Sequence, residues 1–173
     1  EDVSENFESK GNVPYINNGG WAFFHTAYSS DLLQKIAFHF NELDINEKYR
    51  LLEDSWMSLR INQISLDDFM DLLALYKHEK DKNIWTLVSG IFSTMYKIYP
   101  NQNLGTSIGR FCKPSLEVLG KEYNENSSQE ESQLRSIVCS LYAKYSNDKE
   151  FNNYFVDLFE TNEYEKYNDG NYY

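Results

Sequence analysis

The chain has 173 residues, a length that suits one domain or one compact piece of a larger protein. Apolar residues make up 41% of it and aromatic residues 16%, which supplies enough core material to exclude disorder of the chain as a whole. The formal net charge of −11 argues against nucleic-acid binding, because that function needs a basic stripe that displaces counterions.

The first 29 residues differ in composition from the rest of the chain. Residues 1–12 are polar and rich in acidic side chains, which predicts a flexible leader. Residues 13–29 hold two β-rich runs, Val13–Ile16 and Trp21–Tyr28, on either side of an Asn/Gly cluster, and this pattern predicts a short β-hairpin or a linker. The acidic start is typical neither of a signal peptide nor of a transit peptide, and no apolar run is long enough to predict a transmembrane segment.

From residue 30 to residue 161 apolar side chains recur at steps of three and four, which is the periodicity of helices. The predicted helix starts lie near residues 31, 47, 66, 84, 106, 129 and 149. The clearest pair lies within Asn46–Glu79, where Asn46 and Ser65 are the predicted N-caps. Because the link between these two helices is short, they are predicted to be antiparallel neighbours.

The other predicted helices carry similar start and stop signals. Ser30 and Asp31 supply a cap for the first helix, Ser128 opens a capping box for the sixth, and Asp148 caps the last. Gly120 is expected to end the fifth helix. The side chains predicted to face the core are Leu32, Leu33, Ile36, Phe40, Leu43, Tyr49, Leu52, Trp56, Leu59, Phe69, Leu72, Leu73, Tyr76, Trp85, Val88, Phe92, Met95, Tyr99, Ile108, Phe111, Leu116, Leu134, Ile137, Val138, Leu141, Tyr145, Phe151, Tyr154, Phe155 and Leu158.

The spacing of the helices predicts the architecture. Two helices in roughly 35–45 residues is the period of HEAT- or TPR-like stacking. The predicted fold is therefore all-α, a right-handed superhelix of antiparallel helix pairs (HEAT/armadillo-like) over residues 30–161, preceded by the hairpin. No repeated sequence motif accompanies this period, so a plain helical bundle stays open as the alternative. Residues 162–173 show little periodicity and are predicted to be a loose tail.

The titratable residues do not form a catalytic or metal-binding motif. His78-Glu79 begins an H-E-x-x-H pattern, but Lys82 stands where the second histidine ligand is needed. His25 has no Cys, Asp or second His within a few residues, and His39, between Phe38 and Phe40 beside an apolar stripe, is interpreted as a surface or partly buried histidine. Neither a G-x-S-x-G nucleophile motif nor a Gly-rich phosphate loop occurs. The sequence therefore predicts no catalytic, cofactor-binding or metal-ligating residue in this chain.

Two further features leave alternatives open. Cys112 and Cys139 fit no metal or redox spacing, which favours two buried thiols over one disulfide. Asn126-Ser127-Ser128 is a glycosylation sequon, which has a meaning only if the protein enters the secretory pathway.

A set of landmark residues runs through the helical region at fixed spacing. They are Leu51-Leu52, Asp54, Leu59, Tyr76, Glu79, Trp85, Pro114, Leu119-Gly120 and Leu134-Arg135. Their order resembles the C-terminal helical domain of zinc aminopeptidases of the aminopeptidase N and puromycin-sensitive type, in which an R-x-x-L-L-x-D-x-x-x-L-A helix precedes an L-x-L-x-x-Y-x-x-E helix. The resemblance covers about residues 13–160. That family enters the domain through G-x-Y-R-V-x-Y, whereas His25 or Thr26 stands here where the arginine is expected.

The resemblance implies a noncatalytic, truncated domain of a parent enzyme that removes N-terminal residues from peptides. Such a domain encloses the peptide cavity and influences substrate length and selectivity, so its implied partners are the parent's catalytic domain and the peptide substrate. Zinc would belong to the catalytic domain, because this chain lacks both H-E-x-x-H and the G-x-M-E-N motif. The alternative is a stand-alone helical-repeat scaffold that binds a protein or peptide. A cell-surface or secretory parent and a cytoplasmic one are both compatible with the sequence.

Overall fold

The computed structural model describes residues 24–122 and 124–161, and within those ranges it contains helices and no strand. The α-helices are α1 (Ser30–Phe38), α2 (Ile45–Arg60), α3 (Leu66–Ala74), α4 (Lys82–Ile98), α5 (Gln102–Leu119), α6 (Gln129–Tyr145) and α7 (Lys149–Glu160). Two short 3-10 helices, Phe40–Glu42 and Leu75–His78, follow α1 and α3. The predicted all-α class is confirmed for this part of the chain. The chain divides into two compact units, the first ending at Tyr76 and the second beginning at Lys77.

In the first unit, α1, α2 and α3 alternate in direction. The hydroxyl of Ser30, at the start of α1, donates to Asp68 Oδ2 near the start of α3 at 2.8 Å, so these two helices run parallel. At their other ends the rings of Phe40 and Tyr76 lie 4.7 Å apart. The Tyr76 hydroxyl donates to the carbonyl of Lys48 at 2.9 Å, which joins the end of α3 to the start of α2. The predicted antiparallel pairing of α2 and α3 is therefore confirmed.

The buried face of α2 is more polar than the sequence predicts. Tyr49, Trp56 and Leu59 are only half-buried, and Asp54 and Ser55 are buried instead. The prediction is wrong at these positions because apolar periodicity does not register a buried carboxylate that has a hydrogen-bond partner. The inward face of α3, in contrast, is buried as predicted, from Phe69 to Tyr76.

The second unit repeats the alternation with α4, α5 and α6. Lys82 Nζ donates to Gln133 Oε1 at 2.6 Å, which joins the starts of α4 and α6. The rings of Tyr96 and Tyr145 lie 4.8 Å apart near the ends of the same helices, so α4 and α6 are parallel. Arg135 Nε on α6 donates to the carbonyl of Leu119 at the end of α5, which makes α5 and α6 antiparallel.

Two glycines allow α5 to approach the end of α6 closely. A Cβ built on Gly105 would lie 2.6 Å from the backbone oxygen of Tyr145, and one on Gly109 would lie 2.9 Å from the Cβ of Ser146. Both distances are shorter than real Cβ contacts. The glycines are therefore required by packing rather than by a turn.

The last helix is less buried than its periodicity predicts. None of the side chains of α7 is fully buried, although Phe151, Tyr154, Phe155 and Leu158 were expected to face the core. The helix contacts the rest of its unit through the rings of Phe151 and Tyr142, whose centroids lie 4.7 Å apart. Tyr99 at the end of α4 is also exposed, contrary to the prediction.

The predicted N-caps have mixed outcomes. Ser65 and Asp148 each accept a hydrogen bond from the backbone N–H three residues later, as predicted. Asn46 is not the cap of α2, because Asp44 accepts from two backbone N–H groups and Glu47 completes the capping box. Ser30 does not cap α1, because it is the first residue of the helix and Ser29 occupies the N-cap position; the Ser30 hydroxyl donates to Asp68 on α3.

The predicted leader, tail and most of the hairpin lie outside the described residues. Of the second hairpin strand, residues 24–28 are described and are not in a strand. Thr26 and Tyr28 are buried there, so this segment packs through alternate side chains. The superhelical arrangement and its right hand stay predictions.

Candidate functional site

A groove of about 480 Å³ opens on the second unit, among the segment before α4, the second half of α5 and the start of α6. Its lining residues are His78, Glu79, Lys80, Pro114, Ser115, Val118, Leu119, Ser128, Glu130, Glu131 and Leu134. This volume lies within the roughly 300–1,000 Å³ that small-molecule and cofactor sites occupy. The groove is therefore large enough to hold a few residues of a bound peptide.

The wall on the α5–α6 side is held in place by a buried arginine. Arg135 is 6% exposed, and its Nε donates to the carbonyl of Leu119 at 3.0 Å. Its Nη2 donates to Ser127 Oγ at 2.7 Å and to Glu131 Oε1 at 3.1 Å. Because Ser127 also donates to the same Glu131 oxygen at 2.9 Å, the three side chains form a closed network. The end of α5 and the start of α6 are thereby fixed relative to each other.

The same network explains why the predicted capping box of α6 is only half formed. Ser128 Oγ accepts from the backbone N–H of Glu131 at 3.1 Å, as a cap does. The carboxylate of Glu131 contacts Arg135 and Ser127, and it does not return a hydrogen bond to the cap residue. The buried guanidinium is the stronger partner because its hydrogen bond is charge-assisted.

The opposite wall is fixed by backbone carbonyls. Ser115 Oγ, on a side chain that is 7% exposed, donates to the carbonyl of Lys77 at 3.0 Å. Trp85 Nε1 donates to the carbonyl of Glu79 at 2.8 Å. Two side chains of the helical body therefore hold the segment that carries His78, Glu79 and Lys80 along the groove.

The comparisons with known proteins supply the family. A model of the ERAP1-like C-terminal domain matches residues 15–171 of this chain. The chain belongs to the ERAP1-like C-terminal domain family. This match indicates a noncatalytic domain of an aminopeptidase, a type of domain that accompanies the catalytic domain of its parent enzyme. No curated protein and no solved structure gives a significant match to the chain.

The landmark residues that carry the resemblance have structural positions in this ERAP1-like domain. Tyr76 and Trp85 both donate hydrogen bonds to backbone carbonyls, and both are fully buried. Arg135 closes the network beside the groove. The spacing of these residues therefore reflects the contacts that hold the helices together, and it does not indicate catalytic side chains.

A second polar cluster of the ERAP1-like domain lies in its first unit. Asp54 is 2% exposed, and its Oδ1 lies 2.9 Å from His25 Nδ1. Thr26 Oγ1 and Ser55 Oγ are buried without a hydrogen-bond partner. His25 is one of the two residues that stand where the family's arginine is expected, and here it provides the partner for the buried carboxylate.

The other titratable residues considered in the sequence analysis do not come together in one site. His39 bonds its own neighbour Glu42 at 2.8 Å, and Asp68 bonds the hydroxyls of Ser65 and Ser30. The Ser65 and Ser30 hydroxyls lower the pKa of Asp68 from its ordinary value. In the described ranges, no group of three His, Cys, Asp or Glu side chains is arranged to hold a metal ion.

Cys112 and Cys139 are free and buried, as predicted. Burial raises the pKa of Cys112 to about 12 and that of Cys139 to about 11, so both are protonated thiols at neutral pH. Neither is a thiolate nucleophile under these conditions.

None of the helices within residues 24–122 and 124–161 is both long enough and apolar enough to cross a membrane.

Proposed function

We propose that this chain is the noncatalytic helical domain of a zinc aminopeptidase, that it encloses the peptide cavity of that enzyme, and that it influences which peptide lengths and sequences are cleaved. The match of residues 15–171 to the ERAP1-like C-terminal domain carries this proposal. The parent enzyme removes N-terminal residues from peptides, and its catalytic domain supplies the zinc ion and the general base.

The groove on the second unit supports a role in peptide selection. It offers apolar side chains on α5 and charged side chains on the other two elements, which is the mixture that peptide-binding grooves use. Contacts made far from the scissile bond affect turnover, because an enzyme uses binding energy from remote parts of a substrate at the reacting centre. A helical domain without reacting groups can therefore change selectivity.

The test compares the catalytic domain of the parent enzyme with and without this chain. The substrates are an aminoacyl-coumarin and a series of peptides that share their N-terminal residue and differ only in length. We expect the chain to change the ratio of kcat/KM between long and short peptides several-fold, with a smaller effect on the aminoacyl-coumarin, which does not extend to the helical domain.

Three results would contradict the proposal. An unchanged length profile in a mixture where the two polypeptides demonstrably bind each other would remove the role in selection. Failure of the two polypeptides to associate would favour the stand-alone scaffold. The chain alone is the control, and turnover by the purified chain would refute a noncatalytic role.

A further inference from the structure

We propose that Cys112 on α5 and Cys139 on α6 are a redox pair, which a small-molecule disulfide such as glutathione disulfide converts into an intramolecular disulfide that fixes α5 against α6. The structure shows the reduced form of this pair, in which both thiols are free. The proposal is independent of the proposed function, because both cysteines belong to the second unit of this chain.

The register of the two helices places the cysteines opposite each other. A Cβ built on Gly109 would lie 3.8 Å from a ring atom of Tyr142, so these two residues face each other. Because α5 and α6 are antiparallel, three residues forward on α5 correspond to three residues back on α6, which is about 4.5 Å along each axis. These steps lead to Cys112 and Cys139, which are 0% and 8% exposed.

The helices are close enough at this level for a disulfide. Such a bond needs Cα atoms that are about 4.4–6.8 Å apart. Since each Cα lies about 2.3 Å from its helix axis, two packed helices bring directly facing Cα atoms to within about 6 Å of each other. Packing is close here, because a Cβ on Gly109, about one turn before Cys112, would lie 2.9 Å from the Cβ of Ser146.

The electrostatics of this helix pair agree with the register. Burial, followed by the charge of Cys139, raises the pKa of Cys112 to about 12. Burial and then Asp148 raise the pKa of Tyr142, and Cys112 adds to that shift. Cys112 is therefore within electrostatic range of two residues of α6 that lie about one turn apart.

The pair has no competing thiol. The sequence contains two cysteines, and their burial prevents a bond to a second copy of the folded chain. The disulfide would close a loop of roughly 30 residues, which stabilises the fold by restricting the unfolded chain. Because disulfides persist in oxidising compartments and are reduced in the cytosol, the stability of the second unit would depend on the compartment.

The reaction is a pair of thiol–disulfide exchanges. The thiolate of one cysteine displaces glutathione from glutathione disulfide and forms a mixed disulfide, and the second cysteine then displaces the other glutathione. The two protein thiols lose two electrons, and one glutathione disulfide becomes two glutathione thiols, which take up the two protons. Because both native thiols are protonated at neutral pH, exchange takes place while the chain folds or when the helices open.

The experiment refolds the reduced full chain in buffers with increasing ratios of glutathione disulfide to glutathione. Acid-quenched samples are analysed by mass spectrometry, where the bond appears as the loss of two hydrogen atoms and as a link between tryptic peptides 111–121 and 136–144. We expect the equilibrium constant for disulfide formation to be about a hundredfold larger in the native chain than in the urea-unfolded chain, which is the gain expected for a loop of this size.

A relocated cysteine is the matched control. In the double variant Cys139→Ser with Ser140→Cys, the thiol moves by one position to an exposed site on α6. The number of cysteines is unchanged and the loop is nearly the same, but the folded helix directs the new thiol away from α5. We expect its native equilibrium constant to be no larger than its unfolded one. If circular dichroism shows that this variant does not fold, Cys139→Ala with Ser140→Cys replaces it.

Urea denaturation provides a second measurement. The oxidised chain should have a midpoint about 1–2 M higher than the reduced chain, and dithiothreitol should remove the difference. The single variants Cys112→Ala and Cys139→Ala should show no midpoint change with the same buffers.

The proposal is overturned if the native and unfolded equilibrium constants are equal, if the relocated cysteine gains as much from folding as Cys139 does, or if oxidation lowers the urea midpoint. None of these results affects the test of the proposed function, which measures peptide-length profiles.

Discussion

The close approach of α5 to α6 gives a sharp prediction at Gly105. In the Gly105→Ala protein, the new Cβ would lie 2.6 Å from the backbone oxygen of Tyr145, 3.7 Å from its carbonyl carbon and 3.8 Å from a ring atom of Tyr96. Only the first distance is a clash, because separations of 3.4–4 Å are ordinary contacts. The clashing atom belongs to the backbone, so no side-chain rotation relieves it. The two helices must move apart.

The cost follows from two opposing effects. Forcing an additional methyl group into a packed interface destabilises a protein by about 1–3 kcal/mol. Replacing a helical glycine with alanine returns up to about 1 kcal/mol, because the unfolded chain loses freedom. We therefore expect Gly105→Ala to lower the free energy of unfolding by up to about 2 kcal/mol.

Gly90 on α4 is the matched control. No heavy atom lies within 4 Å of a Cβ built on it, and the residue is exposed. Gly90→Ala should therefore raise the free energy of unfolding by about 0.5–1 kcal/mol. Urea denaturation followed by circular dichroism measures both variants, with the m-values compared to exclude a change in the unfolded state. If Gly105→Ala raises the free energy of unfolding as much as Gly90→Ala does, the close approach of the helices is wrong.

Three further results are expected in the second unit. Arg135→Ala should lower the free energy of unfolding by about 2–3 kcal/mol in urea titrations, because it removes a buried side chain and leaves the part-buried carbonyl of Leu119 without its donor. Glu131→Gln should cost less than about 1 kcal/mol because that side chain is partly exposed, and equal losses would contradict the network described here. The backbone N–H of Phe151 and the hydroxyl of Tyr142 hold the pKa of Asp148 below its ordinary 3.8. The stability contributed by this carboxylate is therefore present at neutral pH and lost as the pH falls below 3.8. On acidification to about pH 3, the Asp148→Asn protein should lose less free energy of unfolding than the unsubstituted protein. Equal losses in the two proteins would refute the role of Asp148 as a cap. Finally, both cysteine thiols should resist a thiol-reactive disulfide reagent at pH 8 in the native protein and react after unfolding, whereas rapid labelling of the native protein would contradict their burial.

The sequence predicts the helices well where two independent signals agree. The start of α3 combines an N-cap at Ser65 with the apolar run from Phe69, and both are found in the structure. Gly120 ends α5 with a φ of 68°, the left-handed conformation that glycine adopts easily. Pro114 lies within the same helix, which continues to Leu119.

The sequence predictions are wrong where tertiary packing, rather than the local sequence pattern, determines which side chains are buried. Asp54, on the polar buried face of α2, has His25 as its hydrogen-bond partner. His25 precedes Asp54 by 29 residues, so no local sequence pattern indicates this pairing. The requirement for glycine at positions 105 and 109 depends on a neighbour that arrives about 40 residues later in the chain. Amphipathic periodicity predicts that α7 has an apolar face, but it does not predict how much of that face is covered.

The candidate site likewise combines residues that the sequence indicates with contacts that only the folded structure creates. Landmark residues such as Trp85 and Arg135 were recognised from their spacing, but the sequence could not show that they hold the walls of a groove. Glu130 lies in the first turn of α6, where a carboxylate interacts favourably with the helix dipole. Its place in the lining of the groove depends on α5 and the segment before α4, and these are brought to it only by the fold.

The turn before α6 has a practical consequence for the choice of expression host. The backbone N–H groups of Asn126 and Ser127 donate to the side-chain and backbone oxygens of Asn124, and the exposed Asn126 lies two residues before the groove-lining Ser128. A sugar attached there by a eukaryotic secretory cell would be joined two residues before the groove lining and would restrict access to the groove. Protein produced in bacteria, or an Asn126→Gln form from any source, keeps that entrance open.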